Sequence, residues 1–350
     1  MNKRERVRCA IAHREPDRVP KGELCIEADL ANRLLHKTYP DDYQHFERDL
    51  AVRQLLNIDL VNIGDWPAEY IGVDENGRRR YRSVYGYEYV TTGMSKHVVL
   101  PPVTDISDAG SYQTPDIRMV SGALIRQFKE STDLFVFGQI GGPVSLVNEM
   151  FGMEDYMVYS MTDTPQILKI SERVMEHEIQ KAKLFIDSGA EAVMLTDDIA
   201  FNSGLLLPPQ IMEKVAFPFY SLAVHEIKKH ADVPVFFHSD GNLNAALDRI
   251  AACGFNGIQS LQPSAGMDIA AVKRAYGKDL CLMGNIDLDY VMTRACPEEV
   301  KETVRRTIDA AAEGGGYILS TCNTLINAIP EANALAMYAA ADEYGVYKKQ

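Results

Sequence analysis

Two residues of this sequence, His238 and Cys322, have side chains that bind transition metals, and each comes at the end of a short apolar segment. His238 ends the segment VPVFFH, and Cys322 follows YILST. Imidazole and thiolate are ligands that suit zinc, and a catalytic zinc has three protein ligands and an open position. Asp240 lies in an Asp-Gly turn just after His238 and is the candidate third ligand, although a turn-capping role also explains it. These residues predict a zinc site, with hydrogen bonding of His238 to substrate as the alternative.

Other polar side chains follow apolar segments in the same way. Thr196 is followed by Asp197 and Asp198, and because side chains alternate in direction along a strand, only one of the two is expected to face a common site. We expect Asp198 to orient substrate or to handle protons, although acidic pairs also cap helices. Three amide side chains take similar positions and are predicted to bind substrate: Gln139, Gln262 and Asn285.

Short apolar segments that alternate with helical patterns must position these side chains. Six of them have the near-continuous apolarity of strands buried on both faces: Leu134–Phe137, Ala192–Thr196, Val233–His238, Gly257–Leu261, Leu280–Gly284 and Tyr317–Thr321. Arg18–Cys25 and Asp59–Ile63 supply two more. Eight strand–helix units predict an α/β fold, a (β/α)8 TIM barrel, whose strands deliver their polar side chains to one mouth. An open doubly wound sheet is the alternative, and the lack of a dinucleotide-binding glycine fingerprint weakens it.

One segment, residues 79–100, departs from this alternation. Its aromatic residues alternate with polar ones and Gly93 lies near the expected turn, which predicts a β-hairpin inserted over the barrel mouth. Tyr85 and Tyr87 of the hairpin are predicted to stack on an aromatic substrate. The sequence has no internal repeat and no linker, so residues 1–350 are expected to form a single domain.

The composition excludes several classes of partner. With 46% hydrophobic residues the chain of 350 can bury a large core, and its formal net charge of −13 argues against nucleic acid and against an anionic membrane surface. The six cysteines form no CxxC pair and are expected to be reduced. No signal-peptide pattern and no uninterrupted apolar stretch of membrane-spanning length is present, so the cytoplasm is the expected location.

Several blocks resemble the uroporphyrinogen decarboxylase superfamily: DRVP, GGPVSLVNEMFGME, TDDIAFNSGLLLPPQIMEKVAFPFY, FFHSDGN, MGNID and CNTLINAIPEANALAMYAA. The resemblance extends from about residue 4 to residue 347 and implies a (β/α)8 barrel. True decarboxylases of the superfamily carry an arginine-bearing RQAGRY-like segment that grips substrate carboxylates. KGELCIEADLANRLL stands there in this sequence, and its acidic residues Glu23, Glu27 and Asp29 would oppose a polycarboxylate.

The corrinoid-dependent methyltransferase branch of this superfamily is the closer resemblance, since it binds zinc through His-x-Cys and a distant cysteine. His238 and Cys322 match the first and last of these ligands, and Asp240 replaces the middle cysteine. The replacement either abolishes zinc binding or makes the ligand set harder, which suits an oxygen-bearing methyl donor. The resemblance thus implies methyl transfer between a small methylated substrate, of the methyl ether or methylamine type, and a corrinoid on a partner protein.

Two other functions stay open at the level of sequence. One is a metal-independent decarboxylase or lyase of a small carboxylic acid that uses Asp198. The other is a non-catalytic barrel that binds corrinoid or substrate, for which the departure at Asp240 is the argument. The sequence also leaves the oligomeric state open, with a homodimer as one option.

Overall fold

The computed structural model describes residues 1–40, 44–92 and 95–347. The strands in these ranges are β1 (Leu60–Gly64), β2 (Ala68–Val73), β3 (Arg79–Ser83), β4 (Glu88–Thr92), β5 (Ser95–Leu100), β6 (Phe135–Gly141), β7 (Ala192–Thr196), β8 (Ala200–Phe201), β9 (Gly204–Leu205), β10 (Val235–Ser239), β11 (Gly257–Ser260), β12 (Cys281–Ile286) and β13 (Tyr317–Thr321). The α-helices are α1 (Lys3–Ile11), α2 (Ala28–Leu35), α3 (Phe46–Leu55), α4 (Ala123–Ser131), α5 (Pro143–Phe151), α6 (Met153–Thr162), α7 (Thr164–Asp187), α8 (Pro209–Val215), α9 (Phe217–His230), α10 (Leu247–Ala252), α11 (Ile269–Tyr276), α12 (Pro297–Ala311) and α13 (Glu331–Tyr344).

Seven strands form one parallel sheet in the order β1, β6, β7, β10, β11, β12, β13, which is also their order in the sequence. Helices connect most of them, and β1, β6, β10, β11, β12 and β13 are buried along their whole length. Strands covered on both faces need near-continuous apolarity, which is why the sequence reveals them. The predicted (β/α)8 barrel fold is confirmed.

The eighth position of the barrel is occupied by an irregular segment around Lys21. Lys21 bridges Leu319 of β13 in parallel, and its carbonyl accepts a hydrogen bond of 2.8 Å from the amide of Asp59 on the other side. The regular strand predicted over Arg18–Cys25 is wrong, because side chains replace ladder bonds there. The Asp59 carboxylate accepts the Lys21 amide at 2.8 Å, and Glu23 accepts the Thr321 amide at 2.9 Å.

The insertion after β1 is a four-stranded antiparallel sheet, β2 to β5 in sequence order, and not a single hairpin. Two turns account for the difference. Gly77, with a φ of +77°, closes a turn with Asp74, and Gly86, with a φ of +95°, reverses the chain between β3 and β4. Left-handed backbone conformations of this kind favour glycine. Gly93, the predicted turn residue, lies outside the described residues.

A buried polar cluster attaches the inserted sheet to α7. The Tyr85 hydroxyl donates to Glu178, which also accepts the Gly141 amide at 2.6 Å. The Lys181 Nζ lies 3.6 Å from Glu178 and 3.3 Å from the centroid of the Trp66 ring. Trp66 belongs to the segment that joins β1 to the inserted sheet. Both the start and the middle of the insertion are therefore held by one helix.

Within the described ranges, none of the helices has the length and apolarity that crossing a bilayer requires. The single domain expected over residues 1–350 stays a prediction.

Candidate metal centre

His238 lies in β10 at the carboxyl end of the barrel, and its ring is almost completely buried. Its Nδ1 contacts the Oε1 of Gln259, the residue opposite it on β11. An amide oxygen only accepts hydrogen bonds, so Nδ1 donates, and whenever the ring is neutral its lone pair is on Nε2. That Nε2 lies 3.8 Å from Oδ1 of Asp198. A histidine held through one nitrogen, with the other turned towards a carboxylate, has the arrangement of a metal ligand.

Asp240, just after β10, has a hydrogen-bond donor on each carboxylate oxygen. Ser260 donates its hydroxyl to Oδ1 at 2.8 Å, and the Asn323 amide donates to Oδ2. Burial raises the pKa of Asp240; the adjacent His238 lowers this pKa, and the Asp198 carboxylate raises it. An ionised carboxylate oxygen accepts more than one bond, so both oxygens keep capacity for a cation.

Asp198 is the exposed member of the site. Its Oδ1 accepts the Asp240 amide at 2.9 Å, and its own amide donates to the Ser145 hydroxyl at 2.9 Å. Ligand-type atoms of Asp198, His238 and Asp240 all lie within 4.8 Å of one another. Ligands about 2.1 Å from a single zinc are at most about 4.2 Å apart, so a small closure of these side chains would accommodate one ion.

The neighbouring acid, Asp197, takes a structural position. It is buried, its carboxylate accepts the Val144 amide at 3.0 Å at the start of α5, and the Tyr220 hydroxyl donates to it. Burial raises the pKa of Asp197 to about 6. The two adjacent aspartates thus serve different purposes, one holding a helix and one facing the mouth.

Cys322 is buried directly after β13. Burial raises the pKa of its thiol well above the ordinary value, and the carboxylates of Asp240, Asp287 and Glu23 raise it further. Among the described residues, the Sγ of Cys322 is not part of the group of closely spaced ligand atoms formed by Asp198, His238 and Asp240. The role of Cys322 as a ligand stays a prediction.

The three predicted substrate-binding amides all lie at carboxyl ends of barrel strands, but each already bonds to protein. Gln139 accepts from Asn62 at 2.7 Å and donates to Thr196 at 3.2 Å. Gln262 accepts the Gly241 amide at 2.9 Å, and Asn285 donates to a backbone carbonyl, that of Leu261, at 2.9 Å. These bonds brace the mouth, and contact of the amides with a substrate stays a prediction.

Tyr85 and Tyr87 are buried in the inserted sheet, with only 3% and 2% of their surfaces exposed. The Tyr85 hydroxyl is bound to Glu178, and Lys96 donates to the Tyr87 hydroxyl at 3.3 Å. Their predicted stacking on a substrate is not supported by these contacts and stays a prediction. Tyr70 of the same sheet, by contrast, has 57% of its surface exposed.

Sequence reasoning missed the residues that fix the ligands. Gln259, Ser260 and Asn323 hold His238 and Asp240. The available signal was the buried polar pair in the short strand GIQS. Ser260 also has a φ of +94°, a backbone strain that non-glycine residues keep mainly at functional sites.

A small hairpin, β8 and β9, follows Asp198 at the rim of the mouth. The Phe201 carbonyl accepts the Asn242 amide at 2.9 Å, and a Cβ on Gly241 would lie 2.5 Å from the Ala200 carbonyl oxygen. The hairpin is therefore packed on the loop that carries Asp240. The Phe201 side chain is 48% exposed there, an aromatic surface next to the ligand group.

Comparisons with known proteins agree with this architecture. Residues 86–344 match the family described as uroporphyrinogen decarboxylase (URO-D). The methylcobamide:CoM methyltransferase MtaA of Methanosarcina barkeri is 25% identical over 217 residues, 62% of this chain and 60% of the relative. A uroporphyrinogen decarboxylase of Trichodesmium erythraeum is 28% identical over 238 residues, 65% of this chain and 63% of the relative. The chain therefore spans less than two thirds of the length of these relatives.

A solved structure of a methyltransferase from Methanosarcina mazei is similar along nearly the whole chain. It superposes with a TM-score of 0.78 at 19% identity, covering 98% of this chain and 99% of the other. At this identity the likeness establishes a shared fold.

Proposed function

Because the chain belongs to the uroporphyrinogen decarboxylase family, we propose that it is a zinc-dependent methyltransferase that serves a corrinoid on a partner protein. The second substrate is a small methylated compound of the methyl ether or methylamine type. The observation that carries the proposal is His238, anchored through Nδ1 by Gln259 and turned through Nε2 towards two carboxylates. Relatives named as methylcobamide methyltransferases support the reaction class.

The residues present fit a divalent cation. The mouth holds the carboxylates of Asp198 and Asp240 beside the imidazole of His238, and among the described residues no ion pair joins either acid to a lysine or arginine. A cation bound there would act as a Lewis acid towards the heteroatom of the methyl donor. An oxygen-rich ligand set favours an oxygen or nitrogen heteroatom over a thiol.

In the proposed reaction the methyl–heteroatom bond breaks and its electron pair stays on the heteroatom. The electron pair for the new bond to the methyl carbon would come from the reduced corrinoid of the partner protein, which is the methyl acceptor. The chain positions the donor: Ser260 and Asn323 fix Asp240, and the rim at Phe201 covers an apolar part of the substrate. The corrinoid protein would dock over the same mouth. The oligomeric state, for which a homodimer is one option, is determined by the mass of the purified protein in solution.

Decarboxylation of a porphyrin-type polycarboxylate fits the site less well. Glu23 is fully buried next to β13, and the hydroxyls of Tyr338 and Thr321 donate to it. Burial raises the pKa of Glu23 to about 7. The two cations of the segment where the decarboxylases carry an arginine, Lys21 and Arg33, pair with Asp342 and Glu331 and not with the candidate site.

The test uses the purified full-length chain. Zinc is measured by elemental analysis, and methyl transfer from a panel of methyl ethers and methylamines to free cob(I)alamin is followed by absorbance. We expect stoichiometric zinc and transfer from one donor class, and His238→Ala should lose both. His225→Ala, a surface histidine of α9, is the matched control and should behave as wild type.

Absence of stoichiometric zinc together with unchanged transfer in His238→Ala would refute the proposal. Metal-independent release of carbon dioxide from a small acid, lost in Asp198→Asn, would support the decarboxylase alternative instead. Tight binding of corrinoid without turnover on any donor would support the non-catalytic alternative.

A further inference from the structure

We propose that Asp198, and not Cys322, completes the metal centre with His238 and Asp240. The centre then has one nitrogen and two oxygen ligands and no thiolate. The inference rests on the proposed function, because it names the ligands and the metal class of the same site.

The first argument is the position of Asp198. Its Oδ1 lies 3.8 Å from the His238 Nε2, beyond hydrogen-bond distance, so neither atom satisfies the other directly. The carboxylate is nevertheless held in place, since the Asp240 amide donates to it at 2.9 Å. A gap of this width between an imidazole lone pair and a carboxylate oxygen matches two ligands on either side of one ion.

The second argument is the negative charge of the two carboxylates, Asp198 and Asp240. Asp198 and Asp240 face each other beside a ring that is only 5% exposed. The donors that contact Asp240 from Ser260 and Asn323 are neutral, and in residues 1–40, 44–92 and 95–347 no lysine or arginine pairs with either aspartate. A cation bound between the two carboxylates would relieve their mutual repulsion, which acts mainly on Asp240 because 59% of the Asp198 side chain is exposed to solvent.

The third argument concerns Cys322. Its Sγ lies outside the group of ligand atoms in the described chain, and the next residue, Asn323, is the one whose side chain reaches Asp240. In the loop after β13 it is therefore the Asn323 amide, through its hydrogen bond to Oδ2, that contacts Asp240. The Cys322 side chain is itself buried directly after β13.

A ligand set of imidazole and carboxylates is harder than the histidine and cysteine set that the family resemblance implies. Such sites bind zinc, and they also accept manganese and cobalt(II), whereas thiolate-rich sites select softer ions. The ligand change therefore predicts a broader choice among divalent metals as well as a different methyl donor.

Cobalt(II) provides the decisive measurement, because cobalt–thiolate bonds give an intense near-ultraviolet charge-transfer band that nitrogen and oxygen ligands do not. The metal-free full-length protein is titrated with cobalt(II), and the spectrum and Kd are recorded. We expect visible d–d bands without a thiolate band. Asp198→Asn should weaken binding at least about tenfold, and Asp198→Glu should restore part of it. Cys322→Ser should keep the wild-type spectrum and a Kd within about twofold.

Asp232→Asn, at an exposed acid before β10, is the matched control and should bind as wild type. Circular dichroism of each metal-free variant separates loss of a ligand from loss of fold. A thiolate band that Cys322→Ser abolishes, or an unchanged Kd in a folded Asp198→Asn, would overturn the inference. If cobalt binds as expected but no methyl transfer is found with any donor, the proposed function fails and the ligand assignment stands.

Discussion

Replacing Lys181 by methionine tests the buried ion pair that joins the inserted sheet to the barrel. Lys181 and Glu178 are both fully buried, with 3.6 Å between the Nζ and Oε2 atoms. Burial opposes the charged form of Glu178, yet Lys181, with hydrogen bonds from His177 and Tyr85, holds its pKa below the ordinary value. The pKa of Lys181 is itself lowered by burial.

The size of the effect follows from this geometry. Coulomb's law for a separation of 3.6 Å and an effective dielectric constant of about 20 gives an attraction of about 5 kcal/mol. Removing one partner of a buried pair typically costs about 3–5 kcal/mol, because the other charge stays buried. We therefore expect Lys181→Met to lower the free energy of unfolding by about 3–5 kcal/mol. Loss of the cation–π contact with Trp66 acts in the same direction.

Urea denaturation of the full-length chain measures this change. The double variant Glu178→Gln with Lys181→Met removes both charges and keeps an amide oxygen for the Gly141 amide, so it should be less destabilised than Lys181→Met alone. Arg305→Met, in the exposed pair with Glu302, is the control and should leave the denaturation midpoint unchanged. A Lys181→Met variant as stable as wild type, or a double variant less stable than the single one, would refute this reasoning.

The same variant has a characteristic pH dependence. Without Lys181 the folded-state pKa of Glu178 should rise above its unfolded value, because burial then dominates. A raised acid pKa contributes stability that is present at low pH and lost as pH rises through the folded pKa. The deficit of Lys181→Met relative to wild type should therefore be smaller at about pH 5 than at about pH 8.

Three further predictions concern single side chains. Burial raises the pKa of Glu23 from 4.5 to about 7, so the stability that Glu23 contributes is present below pH 4.5 and is lost as pH rises to about 7. Glu23→Gln should therefore make the free energy of unfolding, measured by urea titration, less dependent on pH over this range. Phe201→Ala should raise the KM for the methyl donor several-fold and leave kcat within about twofold, and Phe201→Leu should have a smaller effect. Tyr344→Ala, at an exposed residue of α13, is the control. An equal rise in KM in Tyr344→Ala would count against a contact between Phe201 and the substrate. Gln259→Leu removes the partner of the His238 Nδ1 and should weaken cobalt(II) binding about 10–100-fold, as measured by titration; wild-type affinity would contradict the tautomer assigned to the ring.

The barrel strands were predictable because their signal is local. Ala192–Thr196 and Tyr317–Thr321 have the same bounds in the structure as in the sequence prediction, and the ends of the other apolar segments shift by at most four residues. A strand buried on both faces must be apolar whatever its neighbours are. The irregular conformation of the segment around Lys21 was not predictable. It depends on two side-chain hydrogen bonds between residues far apart in the sequence: the Asp59 carboxylate accepts the Lys21 amide, and the Glu23 carboxylate accepts the Thr321 amide.

For the candidate site, too, some features could be predicted from the sequence and others depend on the tertiary structure. The sequence by itself determined that His238, Asp198, Asp240 and Cys322 lie at or just after the carboxyl ends of barrel strands, because residue type and strand end can both be read from a linear pattern. The tertiary structure decided which of these side chains lie close to one another. That choice depends on loop geometry between strands, where Gln259 and Asn323 turn His238 and Asp240 towards Asp198. Distances of a few ångströms between side chains from different loops leave no periodic trace in the sequence, so only the folded chain shows that Asp198 lies close to His238 and Asp240.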